Sequence, residues 1–169
     1  GSIKEALLHY EEQRNSAMIP PDDSLCESPM EKKVLEWIQQ TDFYKQRRSE
    51  GIEIRPNYPI GKHLAYLDKS YSHPGYRVDF MVSIPQPRMQ IVVEYDGFKE
   101  HFENLDEVHE GNYHMYMKES DLYRQRILEG YGFHFIRMNK FNLKEGGAEF
   151  LDERFREILK KKVALLRPA

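Results

Sequence analysis

Two runs of apolar and β-branched residues, separated by a short segment that contains two prolines, constrain the fold of this chain most strongly. The first run covers residues 76–84, the second covers residues 89–95, and Pro85-Gln86-Pro87-Arg88 lies between them. Runs of this length on either side of a turn-forming segment are typical of a β-hairpin. The sequence therefore predicts two antiparallel strands, around which the rest of the domain is organised.

Each predicted strand carries acidic residues where apolar ones are expected. Asp79 interrupts the first run, and Glu94 and Asp96 follow the apolar residues 91–93 of the second. A carboxylate in a largely buried strand costs several kcal/mol unless it is paired, hydrogen-bonded or bound to a cation. Three such acids in one hairpin indicate a divalent-metal site.

The pairing of the two strands brings the acids together. Side chains alternate along a strand, so Glu94 and Asp96 share one face while Tyr95 points away. In an antiparallel hairpin Asp79 can lie opposite Glu94, where facing Cβ atoms are about 5 Å apart. Mg²⁺ takes one or two protein carboxylates and completes its octahedron with water and phosphate oxygens. The spacing fits a metal site, and it leaves open a solvated acidic edge of the hairpin.

A helix start precedes the hairpin in the sequence. Ser28-Pro29-Met30-Glu31 combines an N-cap serine, a proline in the first turn and a glutamate three residues after the serine, which together form a capping box. The apolar residues of segment 34–38 then give the helix a buried face. Glu31 has two interpretations, because its carboxylate either bonds back to the amide of Ser28 or serves as an outer acid of the metal site.

The remaining segments complete a mixed α/β pattern. Strands are predicted at 52–55 and 132–138, helices at 112–129 and 148–166, and a long loop with His63 and His73 at 56–75. Residues 1–27 are expected to form an N-terminal helical arm and linker, and residues 28–169 the main domain. We expect a central mixed sheet flanked by helices.

Length and charge narrow the classes of function. A chain of 169 residues with a net charge of −3 fits one domain and argues against a nucleic-acid coat driven by total charge, so any DNA contact must use local basic groups. The single cysteine, Cys26, excludes an intramolecular disulfide. No apolar run approaches the length of a membrane span, and no signal peptide opens the chain. A cytoplasmic protein is expected, and the Gly-Ser start indicates a segment cut from a longer one.

The order of these motifs resembles the PD-(D/E)xK nuclease superfamily, and within it the Vsr-like, restriction-endonuclease-like modules that are often fused to helicases. The likeness covers about residues 28–140 and rests on the following residues: Ser28 and Glu31, Asp79, Glu94 to Gly97, His101, Asp121 and Arg124, and the strand 133–138. One departure is clear. Most of the superfamily has lysine two residues after the glutamate, whereas this chain has Asp96 there, as in the Vsr-like subgroup.

The resemblance implies a restriction-endonuclease-like core and a metal-dependent DNA endonuclease, working as the nuclease module of a larger helicase-type, defence or repair protein. Asp79 and Glu94 would hold Mg²⁺ or Mn²⁺, with Glu31 as an outer ligand and Asp96 in support, and His101 would move a proton or position water. The side chains expected to contact DNA are Lys99, Lys118, Arg124 and Gln125. The resemblance turns Lys118, Arg124 or Gln125 toward the phosphate in place of the missing lysine.

Three alternatives remain at this stage. The chain could be a catalytically degenerate nucleic-acid-binding module of the same fold, which the missing lysine and the negative net charge favour. It could also be a protein-interaction domain whose hairpin acids are surface charge. A zinc hydrolase is disfavoured, because His101, His109 and His114 lack a compact ligand pair such as His-Glu-x-x-His.

Overall fold

A four-stranded mixed sheet forms the centre of the described structure. The computed structural model describes Ile3 and residues 20–97, 118–143 and 146–166. The strands follow one another across the sheet in chain order, with β1 and β3 each antiparallel to β2, and β4 parallel to β3. Their bounds are β1 Glu53–Tyr58, β2 Val78–Pro85, β3 Arg88–Tyr95 and β4 His134–Met138.

Helices cover both faces of this sheet, which makes the domain an α/β structure. The described residues form five of them: α1 Pro29–Gln40, α2 Asp42–Arg47, α3 Ile60–Leu67, α4 Glu119–Gly130 and α5 Gly147–Leu166. Short 3₁₀ turns occur at Asp23–Leu25 and Arg48–Glu50. Among these elements no helix is both long and apolar enough to cross a membrane.

Two apolar cores form because side chains alternate along the strands. Phe80 and Val93 belong to the first core, which also receives buried side chains from α1, α2 and α5. Met81 and Val92, the neighbouring pair in the ladder, belong to the second core together with side chains from α3 and with Leu128 of α4. The acids of the hairpin therefore lie in a sheet that is buried on both faces.

The hairpin and the first helix follow the sequence prediction. The strands of the hairpin are joined through Gln86 and Pro87, and Phe80 pairs with Val93. The helix α1 starts after Ser28, whose hydroxyl oxygen accepts a hydrogen bond from the amide of Glu31 at 3.1 Å. The closing helix and the last strand also occur, with bounds within two residues of those expected.

The expectation of a loop across residues 56–75 was wrong. The strand β1 runs on through Pro56 to Tyr58, and α3 occupies most of the next ten residues. Pro56 is tolerated because β1 pairs only with β2 among the described strands, and a proline on an edge strand removes no ladder hydrogen bond. Ile60 and Leu64 are spaced by one helical turn and both are fully buried, a periodicity that the flanking prolines and glycines obscured.

Two further boundaries differ from the expectation or fall outside the description. The helix expected from residue 112 begins at Glu119, because Lys118 has an extended backbone with φ −60° and ψ 136°; residues 112–117 are outside the described ranges. Of the expected N-terminal arm, residues 1–2 and 4–19 also lie outside them, and residues 20–27 carry only a 3₁₀ turn.

Candidate active site

The register of the hairpin places Asp79 directly opposite Glu94, as the sequence predicted. Because Phe80 pairs with Val93, the next antiparallel pair along the ladder is Asp79 with Glu94. The amide of Tyr95 donates to Asp79 Oδ2 at 2.8 Å, and the amide of Asp79 donates to Glu94 Oε2 at 3.3 Å. The backbone of each strand thus holds the carboxylate of the other.

Burial and mutual repulsion set the protonation of this pair. Glu94 is only 3% exposed. Burial raises the pKa of Asp79 to about 8, and the charge of Glu94 and a hydrogen bond with its carboxyl group act in the same direction, while the Tyr95 amide acts against them. Two neighbouring carboxylates that share one site cannot both ionise without compensation. The pair therefore has affinity for a positive charge.

Arg124 supplies such a charge from α4. Its Nη2 lies 2.6 Å from Glu94 Oε1 and 4.0 Å from Asp121 Oδ1, and its Nη1 donates to the backbone carbonyl of Arg77 at 2.9 Å. The contact with Glu94 is a close ion pair rather than a well-aligned hydrogen bond, since Oε1 makes no hydrogen bond in the described structure. Arg124 thus connects α4 to two places in the sheet: the carbonyl of Arg77, just before β2, and Glu94 near the end of β3.

Asp96 is buried and paired with a second arginine. Its carboxylate is 2% exposed, and its Oδ1 accepts from Arg137 Nη1 of β4 at 2.7 Å. Arg137 is held in turn by Gln125, whose Oε1 accepts from Arg137 Nε at 2.6 Å. The residue that replaces the usual lysine is therefore the partner of an arginine on the neighbouring strand.

Glu31 lies at the edge of the acid pair and also takes part in the cap of α1. Its Oε2 accepts from the hydroxyl of Ser28 at 3.1 Å, so the expected bond to the serine amide is replaced by a bond to the hydroxyl. Partial burial raises the pKa of Glu31, and the charges of Glu27 and Glu94 contribute in the same direction, while the Ser28 hydrogen bond opposes it. Glu31 can therefore contribute to the cap of α1 and still serve as an outer acid of the proposed metal site.

The structure brings some of the sequence-predicted site residues together and says nothing of others. Asp79, Glu94, Asp96, Arg124 and Gln125 are linked by the contacts above. Lys118 is the half-buried N-cap residue of α4. His101 and Lys99 lie outside the described residues.

Arg137 is the functional candidate that sequence reasoning missed. It follows the apolar residues Phe135 and Ile136 in the predicted strand 132–138, and no motif in the sequence singles it out. The parallel pairing of β3 with β4 places Arg137 beside Glu94 in the register. The available signal was a positive charge inside an apolar strand, which needs a buried acid nearby for the same reason that a buried acid needs a cation.

The donor set fits a divalent cation that is bound by two carboxylates. Among residues 20–97, 118–143 and 146–166, no three His, Cys, Asp or Glu side chains stand together as a metal-binding group. Mg²⁺ nevertheless needs only one or two carboxylates when water and phosphate fill the other positions. Asp79 and Glu94 provide these, and the buried Oε1 of Glu94 lies 2.6 Å from the guanidinium of Arg124.

The chain was compared with protein-family models, with curated proteins and with solved structures. None of the three comparisons finds a match.

Proposed function

We propose that the chain is a divalent-metal-dependent endonuclease that hydrolyses phosphodiester bonds in DNA, with a restriction-endonuclease-like core of the PD-(D/E)xK superfamily. The observation that carries the proposal is the facing pair of half-buried Asp79 and buried Glu94 at the ends of neighbouring strands, with the pKa of Asp79 raised. Strongly shifted carboxylates that share a buried site are more common at functional sites than at structural ones.

Each neighbouring side chain has a role in this proposal. Asp79 and Glu94 would hold Mg²⁺ or Mn²⁺, which when bound orients water, lowers its pKa and stabilises charge on the phosphate. Arg124 offers a permanent positive charge and a planar fork of donors that suits a phosphate group. Asp96 and Gln125 fix the guanidinium of Arg137 close to β3, so that two arginines stand in for the absent lysine.

The wider context belongs to the same proposal. The chain would work in the cytoplasm as the nuclease module of a larger protein that contains a helicase or another ATPase. The motif order of residues 28–140 supports this. A chain with a net charge of −3 also has little affinity for DNA by itself, so a partner domain that binds DNA would bring it to its substrate.

A cleavage assay tests the proposal directly. The wild-type chain is incubated with single-stranded, duplex and branched DNA in EDTA, Mg²⁺ or Mn²⁺. We expect cutting or nicking only with a divalent ion, and a loss of at least about a hundredfold in Asp79→Ala and Glu94→Ala, as for other groups that stabilise transition-state charge.

The matched control is Glu36→Ala, which removes an exposed acid of α1 and should cleave as the wild type does. Full activity in both Asp79→Ala and Glu94→Ala would refute the assignment of the site.

A second candidate function is a DNA-binding module that does not cleave. The observation in its favour is that Glu94 and Asp96 both have arginine partners, at 2.6 and 2.7 Å, and so have a counter-charge without any metal. This candidate predicts salt-sensitive DNA binding and no cleavage in either Mg²⁺ or Mn²⁺, whereas the endonuclease predicts both binding and cleavage.

A further inference from the structure

A cleft of about 460 Å³ opens along β1, on the side of the hairpin away from β3. Its walls come from the segment before α1, from β1 and from the start of α3, and they include Leu25, Arg55, Tyr58, His63 and Arg77. Ligand-binding cavities in proteins have volumes of about 300–1,000 Å³. The cleft is therefore large enough for a small organic group.

The walls of the cleft combine buried charge with aromatic surface. Arg55 Nε lies 2.7 Å from Glu53 Oε1, and these side chains are 10% and 7% exposed. The guanidinium of Arg55 also lies 5.0 Å from the ring centre of Tyr58. The hydroxyl of Tyr58 is 2.6 Å from His63 Nδ1. Donors, acceptors and a flat apolar surface thus occur within one cavity.

Arg77 connects the cleft to the acid pair. Its Nη1 donates to the backbone carbonyl of Asn57 at 2.9 Å, at the cleft wall. Its own carbonyl accepts from Arg124 Nη1, and Arg124 is paired with Glu94. Arg77 also comes two residues before Asp79 and is exposed. An anionic group at Arg77 would stand between the cleft and the acid pair.

From this arrangement we infer that the cleft binds one unpaired nucleotide of the DNA substrate, next to the phosphodiester that the acid pair cleaves. The inference rests on the proposed function, and it names a substrate class: DNA with an unstacked base beside the cleaved bond. The phosphate of that nucleotide contacts Arg77, and its base enters the cleft.

The chemistry of the cleft suits a base better than a second phosphate. A base is flat and uncharged, so the cavity can take it without breaking the ion pair between Glu53 and Arg55. Glu53 and Asp22 in the wall would repel a phosphate inside the cleft, which leaves Arg77 at the rim as its contact. A base inside a duplex would first have to leave the stack at a cost of a few kcal/mol, so single strands are preferred.

The test blocks the cleft without touching the acid pair. Leu25 is 48% exposed and lines the cleft, so Leu25→Trp fills part of the cavity at little risk to folding. We measure fluorescence anisotropy of a labelled single-stranded oligonucleotide, and of the same sequence as a blunt duplex, with the whole chain in EDTA. Leu25→Trp should weaken single-strand binding about tenfold, the scale of one lost base contact, and leave duplex binding unchanged.

Leu165→Trp makes the same change at an exposed position of α5, where the side chain is 83% exposed, and should bind both DNAs as the wild type does. Arg77→Gln should reduce the salt slope of single-strand binding by about one. Thymidine monophosphate alone should shift the ring resonances of His63 in the wild type and not in Leu25→Trp.

Equal single-strand binding by Leu25→Trp and the wild type would overturn the inference. If the wild type still cleaves DNA with Mn²⁺, the proposed function survives that result. If it neither binds nor cleaves DNA, both the inference and the proposed function are wrong.

Discussion

At Glu94, the proposed metal ion and Arg124 would compete for one carboxylate. Arg124 Nη2 contacts Oε1 at 2.6 Å, with the two side chains 12% and 4% exposed, and a divalent ion would use the same oxygen. By pairing with Glu94, Arg124 would lower the affinity of the proposed site for a metal ion, because this ion pair must be broken before the metal can bind. In a nuclease the same arginine is useful once released, since it can then contact the phosphate.

We predict that Arg124→Gln binds Mn²⁺ several-fold more tightly than the wild type and cleaves DNA at least about tenfold more slowly. Its free energy of unfolding without metal should fall by about 3 kcal/mol, because Glu94 is left buried without its cation. Calorimetric titration with Mn²⁺, urea denaturation and a cleavage time course measure these quantities. Arg126→Gln, at an exposed position of the same helix, is the control. Weaker Mn²⁺ binding by Arg124→Gln would contradict the competition.

The raised pKa of Asp79 predicts how stability depends on pH. The pKa of Asp79 lies near its ordinary value of 3.8 in the unfolded chain and at about 8 in the folded chain. Between these values the folded state binds more protons than the unfolded state, so stability falls as pH rises. This contribution is complete below about pH 4 and lost as pH rises through about 8.

Urea denaturation in EDTA at pH 5 and at pH 8 measures this effect. We expect the wild type to lose a few kcal/mol between the two values, since one pKa unit is worth about 1.4 kcal/mol. Asp79→Asn should lose markedly less, and by the same linkage the affinity of the wild type for Mn²⁺ should rise over this range. A wild type whose stability changes with pH as that of Asp79→Asn does would show that the pair is not protonated in the folded state.

At the scale of elements, the position of β2 depends on how closely α3 approaches the segment before it. The amide of Gly61 donates to the carbonyl of Tyr76 at 2.9 Å, and a Cβ on Gly61 would collide with the backbone of Gly75 and Tyr76. The segment 75–77 then leads into Asp79. The packing of α3 against residues 75–76 thus helps to position Asp79.

Gly61→Ala should therefore destabilise the fold by about 1–3 kcal/mol, the usual cost of overpacking, and reduce cleavage because Asp79 moves relative to Glu94. Gly75→Ala is a matched control, since a Cβ there meets open space. Thermal unfolding and cleavage rates of the two variants give the comparison. If both variants behave alike, the close contact of Gly61 does not position β2.

The ion pair between Asp96 and Arg137 joins β3 to β4. We predict that Arg137→Met lowers the free energy of unfolding by about 3–5 kcal/mol, because Asp96, which is 2% exposed, loses its arginine partner. Arg154→Met removes an arginine whose 2.7 Å ion pair with Glu157 is exposed, and should change stability by less than about 1 kcal/mol. Urea denaturation measures both. A cost for Arg137→Met as small as that for Arg154→Met would mean that this pair does not join the strands.

The elements that could be predicted from the sequence are those whose signals lie within a few neighbouring residues. The capping residues before α1 and the proline turn between β2 and β3 act within a few residues, and hairpin pairing then places Asp79 against Glu94. Arg137 could not be placed in this way, because its contact with Asp96 spans 41 residues and depends on the parallel position of β4. The helix α3 was missed because Pro59 and Gly61 have turn propensity, while its burial is decided by tertiary packing.

For the molecule as a whole, the net charge disfavours DNA binding, whereas the side chains at the candidate site would favour it. The chain carries a net charge of −3, whereas three described arginines, Arg77, Arg124 and Arg137, lie near the acid pair, two of them already paired with Glu94 and Asp96. Long-range attraction of DNA is weak in such a protein. Binding should depend on these arginines and on a metal ion, which neutralises the acids beside it.

Saturating Mn²⁺ should stabilise the whole domain. At a hundredfold excess over Kd the gain is about 2.7 kcal/mol, which raises Tm by about 5–10 °C in a chain of this size. Calorimetric scans of the wild type, Glu94→Gln and Glu36→Gln in Mn²⁺ measure this, and only Glu94→Gln should lose the shift. An unchanged wild-type Tm at millimolar Mn²⁺ would mean that the site does not hold the ion.

The chain order of the strands has a consequence for how the molecule reaches its native state. Asp79 and Glu94 are 15 residues apart and meet as soon as the hairpin closes, whereas Arg124 and Arg137 arrive only with the later crossover to β4. Short loops close sooner than long ones. We therefore expect the two acids to face each other before Arg124 and Arg137 reach the site, with a proton or a metal ion from solvent as a counter-charge in that interval.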